Sequence, residues 1–354
     1  MNTKNGIVIA LVGLVVLGLC GVTYLVVRAY QSPLGPALQS STPTSIPVAA
    51  QVVVTEITAN NVSAPTAIPV EVQDLPTPVP ALAQSEVCGE TAVWNVLVLG
   101  SDAADLRGPK GSDLTRMLRV DFPNRKVTLF AFSRNLWVDT SSLGLTNPTV
   151  NATQLGMVFY EARRRSTSTD VRTAMIDATN VTARMFANDF LLSTDHYLTI
   201  DLAQIPAMVD AIGGVPVNIP TTTTDPWIGT TIYAGQQTLN GAQFVAYARA
   251  IPDSDFGRIQ RDNILLDALQ QKLLDPAVWA RIPQLYSQFN QVIATDFSPE
   301  QIDHLACLMQ EVPQQSIIFD NIRPEWTWAG PQAGSLLWDK TSVLNRLKEL
   351  ELIP

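Results

Sequence analysis

The stretch TRMLRVDFPNRKVTLFAF, Thr115–Phe132, has the pattern of two β-strands joined by a short turn. Apolar residues alternate partially in both halves, and the residues Pro-Asn-Arg at 123–125 separate them. Such a pattern predicts a β-hairpin. Just upstream, WNVLVLG, Trp94–Gly100, is a short apolar run closed by glycine, which is typical of a buried strand. We therefore expect the globular part of the chain to open with three strands.

Helical patterns alternate with strand patterns further along the chain. Leu155, Val158 and Phe159 recur at helical spacing, which predicts a helix over 152–165, and a second helix is expected over 171–190. Next come a strand at HYLTIDL, a helix at AQIPAMVDAIGG and a strand at VPVNIP, then helices at LNGAQFVAYAR and FGRIQRDNILLDALQQKLL. This alternation predicts an α/β fold in layers.

The chain begins with a candidate membrane anchor. Residues 7–27 form an uncharged apolar run of 21 residues, which is long enough to cross a bilayer as a helix. The run is longer than the apolar core of a cleaved signal peptide, and the bulky leucine before Cys20 argues against lipid attachment. Lys4 precedes the run, which favours a cytoplasmic location for residues 1–6 despite Arg28 on the other side. We expect a single-pass signal anchor in the cell membrane, with the globular domain outside the cytoplasm.

The rest of the chain divides into a linker, a domain and an extension. Residues 28–87 are expected to be an extracytoplasmic linker, because positions 31–86 contain nine prolines and only four charges, all acidic. Such a composition cannot bury a core and favours a disordered, extended stalk. Residues 88–275 have the size of one domain. Residues 276–354 are expected to form a helical extension packed on it, with one helix capped by Ser298.

Composition excludes several classes of function. A formal net charge of −9 argues against a nucleic-acid partner, which would require a basic face. The two histidines, His196 and His304, are too few for a His-rich metal site or an H-E-x-x-H protease, and we expect each to be structural. Neither a G-x-S-x-G elbow nor a Walker loop occurs. Cys88 and Cys307 lie outside the predicted span, and two cysteines in an exported domain favour a disulfide.

Carboxylates and arginines lie at the predicted ends of strands and starts of helices. Residues at the ends of adjacent strands converge in an open α/β sheet. Carboxylates bind Mg²⁺ and arginines grip phosphate oxygens, so the combination suits phosphoryl transfer. The alternative is that these groups pair with one another, in which case Arg258 and Arg261 would hold Asp253 and Asp255. The candidates are Asp102, Asp113 and Arg134 near the first three strands, and Arg249, Arg258 and Arg261 in the late helical region.

The chain resembles the LytR-CpsA-Psr family from about Trp94 to Leu274. The resemblance rests on the order of NVLVLGSD, GSDLTRMLRVDFPNRKVTLFAFSRNLWV, DHYLTIDL, VDAIGGVPVNIP, AGQQTLNGAQFVAYAR and DFGRIQRDNILL. It implies a three-layer α/β/α sandwich with a central mixed β-sheet and an apolar pocket for a lipid tail. The helical stretches LGMVFY and MFANDFLL offer apolar side chains for that pocket, although any core needs such residues too.

The resemblance also implies an activity. Members are extracytoplasmic phosphotransferases that move a glycopolymer from a polyprenyl-pyrophosphate carrier to peptidoglycan, with Mg²⁺, and some hydrolyse polyprenyl pyrophosphate. Matched by position, Asp102 and Asp113 would serve the metal. Arg107 and Lys110 would add contacts to the substrate. The residues that would neutralise the pyrophosphate during catalysis are Arg134, Arg249, Arg258 and Arg261.

Several positions depart from the family pattern, and they fall among the candidate site residues. Asn135 replaces a carboxylate, and Ile251 replaces the second arginine of an Arg-x-Arg pair. Where the family has Arg-Ser-Asp this chain has Gly111-Ser112-Asp113, and an Arg-Gln-Gln motif has become Arg261-Asp262-Asn263. Arg107 or Lys110 could replace the arginine lost at position 111. Two interpretations follow: a divergent enzyme, or a protein that binds polyprenyl phosphate or a cell-wall polymer without turnover.

Overall fold

A computed structural model of the chain describes residues 28–39, 86–101, 111–145, 151–225, 228–250, 254–279, 281, 285, 288–289 and 292–354. The predicted span at 7–27 and most of the predicted linker, 40–85, lie outside these residues. Within the described part, no helix combines the length and the apolar character that crossing a bilayer requires.

A mixed sheet of six strands forms the centre of the domain, in the order β11-β6-β1-β2-β3-β12. β1, β3, β6 and β12 run in one direction, while β2 and β11 run antiparallel to their neighbours. The predicted α/β fold with a central mixed sheet is confirmed. The strands are β1 Val93–Ser101, β2 Ser112–Asp121, β3 Lys126–Ala131, β6 His196–Asp201, β11 Ile293–Thr295 and β12 Ile317–Asn321.

The predicted hairpin is present as β2 and β3. Asp121 pairs with Lys126 across the turn, and Arg116 pairs with Ala131 at the far end of the ladder. The Asp121 carboxylate accepts hydrogen bonds from the backbone and side chain of Asn124, which stabilises the turn. Arg125 adopts a left-handed backbone with φ of 45° before the chain returns.

Helices cover both faces of this sheet, because alternate residues of each strand point to opposite sides. Leu97 and Leu99 of β1 pack into one core with the side chains of α1 and α2. Trp94 and Val96 of the same strand pack on the other face with Leu308 of α7. The apolar stretches considered for a lipid pocket belong to the first core. Its helices are α1 Leu155–Arg165, α2 Val171–Phe190 and α8 Lys340–Glu349, and α7 spans Pro299–Glu311.

A smaller unit with its own core packs beside the sheet. Its strands β7 and β10 form an antiparallel pair, and Val215, Leu239 and Tyr247 are buried in its core. The long helix α5 carries Leu265 into this core, so α5 joins the small unit to the central sheet. The elements are α3 Ile205–Ala211, β7 Val215–Ile219, β8 Thr223–Thr224, β9 Thr231–Ile232, β10 Gly235–Leu239, α4 Gly241–Arg249, α5 Asp255–Leu273 and α6 Pro276–Trp279.

The C-terminal region is part of the central sheet. A helical extension was expected over 276–354, but this region also supplies β11 and β12, the two edge strands. Its first long helix, α7, carries Cys307, which forms a disulfide with Cys88 and so joins this region to the start of the domain. Two short hairpins lie beside the sheet, formed by β4 Trp137–Asp139 with β5 Ala152–Gln154 and by β13 Thr327–Ala329 with β14 Leu336–Trp338.

The first residues of the predicted linker lie against the domain. The backbone N–H of Leu34 donates to the carbonyl of Phe297 at 3.0 Å. Arg172 donates to the carbonyl of Leu34 at 2.6 Å, and the hydroxyl of Tyr197 donates to the carbonyl of Pro36 at 3.1 Å. Residues 28–39 therefore form a strap across the domain, which the composition of the linker gave no reason to expect.

Candidate functional site

The candidate site lies at the end of the central sheet where the four strands of common direction terminate, and we call this end the C-terminal edge. The strands that end there are β1, β3, β6 and β12, and the antiparallel strand β2 begins there. Asp113 is the second residue of β2, Arg134 follows the end of β3, and α5 begins nearby with Asp255. The region beyond the carboxyl ends of strands is where open α/β sheets bind ligands. The predicted convergence of Asp113, Arg134 and Arg258 is what the structure has at this edge.

Two arginines and two aspartates form a charge cluster there. Arg258 donates to Asp255 Oδ1 from Nη2 at 2.7 Å and from Nε at 3.1 Å. Arg134 forms an ion pair with Asp113 and lies 3.4 Å from Asp255 Oδ1 through its Nε. Arg258 Nη1 is also 4.0 Å from Asp113 Oδ1. We call Asp113, Arg134, Asp255 and Arg258 the charge cluster.

The cluster differs in exposure from one end to the other. The side chains of Asp255 and Arg258 are 6% and 9% exposed, whereas those of Arg134 and Asp113 are 32% and 37% exposed. Ser133 closes the inner end, because its hydroxyl donates to Asp255 Oδ2 at 2.5 Å. Solvent, and any ligand, therefore reach the cluster from the side of Arg134 and Asp113.

Helix α5 places its arginines by local signals in the sequence. The Ser254 hydroxyl accepts a hydrogen bond from the backbone N–H of Gly257, which caps the helix start. Arg261 follows Arg258 at the i+3 position, so both lie on one side of the helix, as their spacing predicts. Both residues are 7% exposed, and Arg261 donates to the carbonyl of Ala250. Arg258 thus holds an internal carboxylate, which is the alternative that the sequence left open.

The pKa of Arg258 is set by two opposing effects. Burial lowers the pKa of the Arg258 guanidinium, but the carboxylates of Asp255, Asp262 and Asp113 outweigh burial and raise it. Arg258 therefore keeps its charge, although it is buried.

A fourth arginine, Arg116 of β2, lies beneath α5. Only 2% of Arg116 is exposed, and its Nη1 donates to Asn263 Oδ1 at 2.6 Å. Burial lowers the pKa of Arg116 to about 10, opposed by Asp262 and reinforced by Arg258. Asp262 remains partly exposed as a residue, yet desolvation raises the pKa of its carboxyl to about 6, and Arg116 and Arg258 oppose that rise. Asp262 and Asn263 therefore serve Arg116, which gives these departures from the family pattern a structural role.

Gly111 leaves no room for the arginine that the resemblance to the LytR-CpsA-Psr family leads one to expect at this position. A Cβ on Gly111 would lie 2.1 Å from the carbonyl oxygen of Gly156 at the start of α1. A Cβ on Gly156 would in turn lie 2.9 Å from the carbonyl oxygen of Ser112. The two glycines let β2 and α1 approach closely, and the backbone N–H of Gly156 donates to the carbonyl of Arg134 at 2.8 Å. The start of α1 therefore supports the backbone that carries Arg134.

The other predicted site residues are placed differently. Arg249 is the last residue of α4 and is exposed, and among the described residues its side chain makes no hydrogen bond or ion pair. It directly precedes Ala250, whose carbonyl oxygen accepts a hydrogen bond from Arg261. Three predicted residues lie outside the described part of the chain: Asp102, Arg107 and Lys110.

Sequence reasoning missed Ser133 and Arg116. Ser133 had a weak signal, its place beside Arg134. Arg116 had a clearer one, because it stands in a strand between Leu114 and Leu118 on the same face, where an apolar residue is expected. His196 begins β6 at the opposite edge of the sheet and bonds Asp296 at 3.2 Å, in agreement with the structural role expected of it.

The described carboxylates can be compared with the needs of Mg²⁺, which proteins hold through one or two carboxylates, waters and substrate phosphates. Asp113 fits this role, because it is partly exposed at the open end of the cluster. Asp255 does not fit, since both of its oxygens already accept bonds. Among the described residues, one group of three possible ligands has its ligand atoms within 4.8 Å of one another. The group is Cys88, Cys307 and Glu311, and its two cysteines form the disulfide.

Comparisons with known proteins agree with this architecture. TagU of Enterococcus faecalis, a "polyisoprenyl-teichoic acid--peptidoglycan teichoic acid transferase", is 24% identical over 218 residues, which are 60% of this chain and 64% of that protein. Regulatory protein MsrR of Staphylococcus aureus is 22% identical over 195 residues, 54% of this chain and 52% of its own. The chain thus spans between half and two thirds of the length of these relatives.

Solved structures show the same fold. TagV of B. subtilis superposes with a TM-score of 0.59 at 19% identity, over 75% of this chain and all of its own. A structure described as "TagT bound to LIIa-WTA" superposes with a TM-score of 0.55 at 16% identity, over 76% of this chain and 93% of its own. The family model described as "LytR_cpsA_psr family" matches residues 76–334. The chain belongs to the LytR-CpsA-Psr family.

Proposed function

We propose that this chain is a membrane-anchored, extracytoplasmic phosphotransferase that moves a glycopolymer from a polyprenyl-pyrophosphate carrier to peptidoglycan. The observation that carries the proposal is the charge cluster of Asp113, Arg134, Asp255 and Arg258 at the carboxyl ends of the strands. Membership of the family and a relative named as a teichoic acid transferase support the substrate class.

Each residue of the cluster has a distinct part in the proposed transfer. Asp255 holds Arg258 with two hydrogen bonds and approaches Arg134, so both guanidinium groups are oriented before substrate arrives. Arg134 is the more exposed arginine, and pyrophosphate oxygens would replace Asp113 as its partner. Arg249, exposed at the end of α4, belongs to the proposed set through its position in the sequence motif. Asp102, Arg107, Lys110 and Arg261 complete the proposed set.

The proposed reaction exchanges two bonds for two. The acceptor hydroxyl loses its proton to the departing polyprenyl phosphate or to water, its oxygen bonds to the phosphorus that carries the glycopolymer, and the bond from that phosphorus to polyprenyl phosphate breaks. Negative charge on the departing phosphate grows, and arginines fixed in place stabilise it. Bound Mg²⁺ would supply further neutralisation of the pyrophosphate oxygens, with Asp113 and Asp102 as its protein ligands.

Two observations support the proposed location. Residues 7–27 have the length and composition of a membrane span. The disulfide between Cys88 and Cys307 suits an oxidising compartment outside the cytoplasm. We propose that residues 1–6 are cytoplasmic and that the domain lies on the outer side of the cell membrane.

The proposal is tested with the purified full-length chain, Mg²⁺ and a polyprenyl-pyrophosphate-linked saccharide. Transfer to peptidoglycan fragments and release of phosphate are both measured. Arg134→Ala should lower turnover at least about 100-fold, because it removes a group that stabilises charge in the transition state. Arg164→Ala is the matched control, since Arg164 is an exposed arginine of α1 that pairs only with Glu161 among the described residues. If the wild-type chain neither transfers the saccharide nor hydrolyses the pyrophosphate, the proposed enzyme activity is refuted.

A second function has its own support. Arg134 and Arg258 are already paired with carboxylates, and the Gly111–Gly156 contact excludes the arginine that the family has at position 111. A protein that binds polyprenyl phosphate or a cell-wall polymer without turnover would fit these features. Binding of polyprenyl phosphate by a wild-type chain that shows no turnover would establish this alternative.

A further inference from the structure

A polar groove lies between helix α5 and the antiparallel pair of β7 and β10, and none of the four residues of the charge cluster lines it. Its volume is about 510 Å³. Val217, Ile264 and Ala268 also line it, and of these three Ile264 is half-buried whereas Val217 and Ala268 are buried. Its polar side chains are mostly amides, namely Asn218, Gln236, Gln260, Asn263, Asp267 and Gln271.

The α5 wall of the groove is a single stripe of the helix. Gln260, Asn263, Asp267 and Gln271 follow one another at intervals of three or four residues, so they face the same side. The stripe runs over twelve residues, 260–271, which is about 16 Å along the helix axis. A ligand that follows it is therefore a chain of several units rather than a single small molecule.

Hydrogen bonds hold the polar groups of this stripe in position. Asn263 Oδ1 accepts from the buried Arg116 at 2.6 Å, so the amide N–H groups of Asn263 remain as donors. Asp267 accepts from Gln314 at 3.1 Å, and Gln314 in turn accepts from Gln271 at 3.0 Å. Fixed donors and acceptors lose less conformational entropy when a ligand binds.

The groove begins next to the charge cluster. Gln260 follows Arg258 by two residues and donates to Asn321 at 3.1 Å, at the end of β12. β12 pairs with β3, and Arg134 follows β3. Asn263 contacts Arg116 directly, and the charges of Asp262 and Arg258 act on Arg116. A chain lying in the groove would present one end to the proposed phosphoryl-transfer site.

The chemistry of the lining selects the class of chain. No Lys or Arg occurs among the described residues that line the groove, and Asp267 is its charged residue, so a phosphate-rich polymer would be repelled. Amides pair well with hydroxyl and acetamido groups, and the half-buried side chain of Ile264 can contact the carbon face of a sugar ring. We propose that this groove binds the uncharged N-acetylated sugar backbone of the acceptor glycan. This inference rests on the proposed transfer to peptidoglycan.

The groove is tested by titrating chitotetraose, the β-1,4-linked tetramer of N-acetylglucosamine, into the full-length chain in a calorimeter. The double variant Gln236→Ala/Asp267→Ala should weaken binding about tenfold, the effect of losing one hydrogen bond from each wall. Gln236→Ala alone, at an exposed strand position, should weaken it about threefold. Gln237→Ala is the matched control with unchanged binding, because the next residue of β10 points to the other face and does not line the groove.

Several outcomes would overturn the inference. One is that the wild-type chain does not bind chitotetraose, and another is that the wild type and the double variant bind it equally well. A third such outcome is that a peptidoglycan stem peptide displaces chitotetraose while a glycan does not. Hydrolysis of polyprenyl pyrophosphate separates this inference from the proposed function. Hydrolysis without chitotetraose binding refutes the groove alone, whereas groove-dependent binding without any turnover supports the groove and refutes the enzyme.

Discussion

Replacement of Asp255 by asparagine should strongly destabilise the domain while preserving the shape of the side chain. The Asp255 carboxylate accepts two hydrogen bonds from Arg258 and one from Ser133, and its side chain is 6% exposed. Asparagine removes the charge and leaves the Arg258 guanidinium, 9% exposed, without its main partner. Breaking a buried ion pair from one side costs about 3–5 kcal/mol. The loss of the contact between Asp255 and Arg134 adds little to this cost, because Arg134 is more exposed and keeps its ion pair with Asp113.

We therefore expect Asp255→Asn to lower the free energy of unfolding by about 3 kcal/mol. Arg258→Gln should cost a similar amount. The double variant should cost clearly less than the sum, with a coupling energy of about 2 kcal/mol, because neither charge is then left unpaired. Guanidinium unfolding followed by tryptophan fluorescence measures all four species.

The control is Asp275→Asn, which removes a carboxylate that is 47% exposed and lies 3.8 Å from Lys272. It should change the free energy of unfolding by less than about 1 kcal/mol. A cost below about 1 kcal/mol for Asp255→Asn, or additive effects in the double variant, would show that the pair is not a buried, coupled unit. The arginines would then lack the internal orientation on which the proposed function relies.

Three further predictions concern stability. Serine at both Cys88 and Cys307 should lower the free energy of unfolding by up to about 5 kcal/mol, since the disulfide closes a separation of 219 residues; reductant should destabilise the wild type alone in the same guanidinium assay. Desolvation raises the pKa of Asp262 from 3.8 to about 6, so the folded protein favours the protonated carboxyl. The contribution of Asp262 to the free energy of unfolding is therefore fully present below about pH 3.8 and is lost as the pH rises through 6. The difference in unfolding free energy between wild type and Asp262→Asn should therefore change by up to about 3 kcal/mol between pH 4 and 7, and a pH-independent difference would contradict this. Gly111→Arg should lower the melting temperature and the soluble yield, because its Cβ would meet the Gly156 carbonyl at 2.1 Å; a stable variant would disprove the close contact.

The elements that local patterns predicted are those with strong periodicity. Thr115–Phe132 forms the expected hairpin, because alternation and turn residues act between neighbours in sequence. The edge strands β11 and β12 had no comparable signal. Ile293–Thr295 has three residues, and Ile317 pairs with Val127, far away in the chain. Pairings of this kind depend on the whole topology, so region 276–354 was expected to be helical.

The site was predictable in type more than in detail. The ends of strands gave Asp113 and Arg134, and helical spacing gave Arg258 and Arg261 on one side of α5. The partner of each arginine depends on tertiary packing. Asp255 was available three residues from Arg258, but its bond to Ser133 required the end of β3 to reach the start of α5.

The charge cluster sets a condition that any anionic ligand must meet. Arg134 and Arg258 face Asp113 and Asp255, so their charges already balance. Asp255 cannot yield its place easily, because it is buried and bonds Arg258 and Ser133 at once. Asp113 is 37% exposed and has Arg134 as its principal partner. A pyrophosphate must therefore displace Asp113, and a divalent cation that draws this carboxylate away would make the exchange more favourable. Under the proposed function, Asp113 is the residue through which metal and phosphate binding become coupled, because one carboxylate cannot serve the cation and Arg134 equally well.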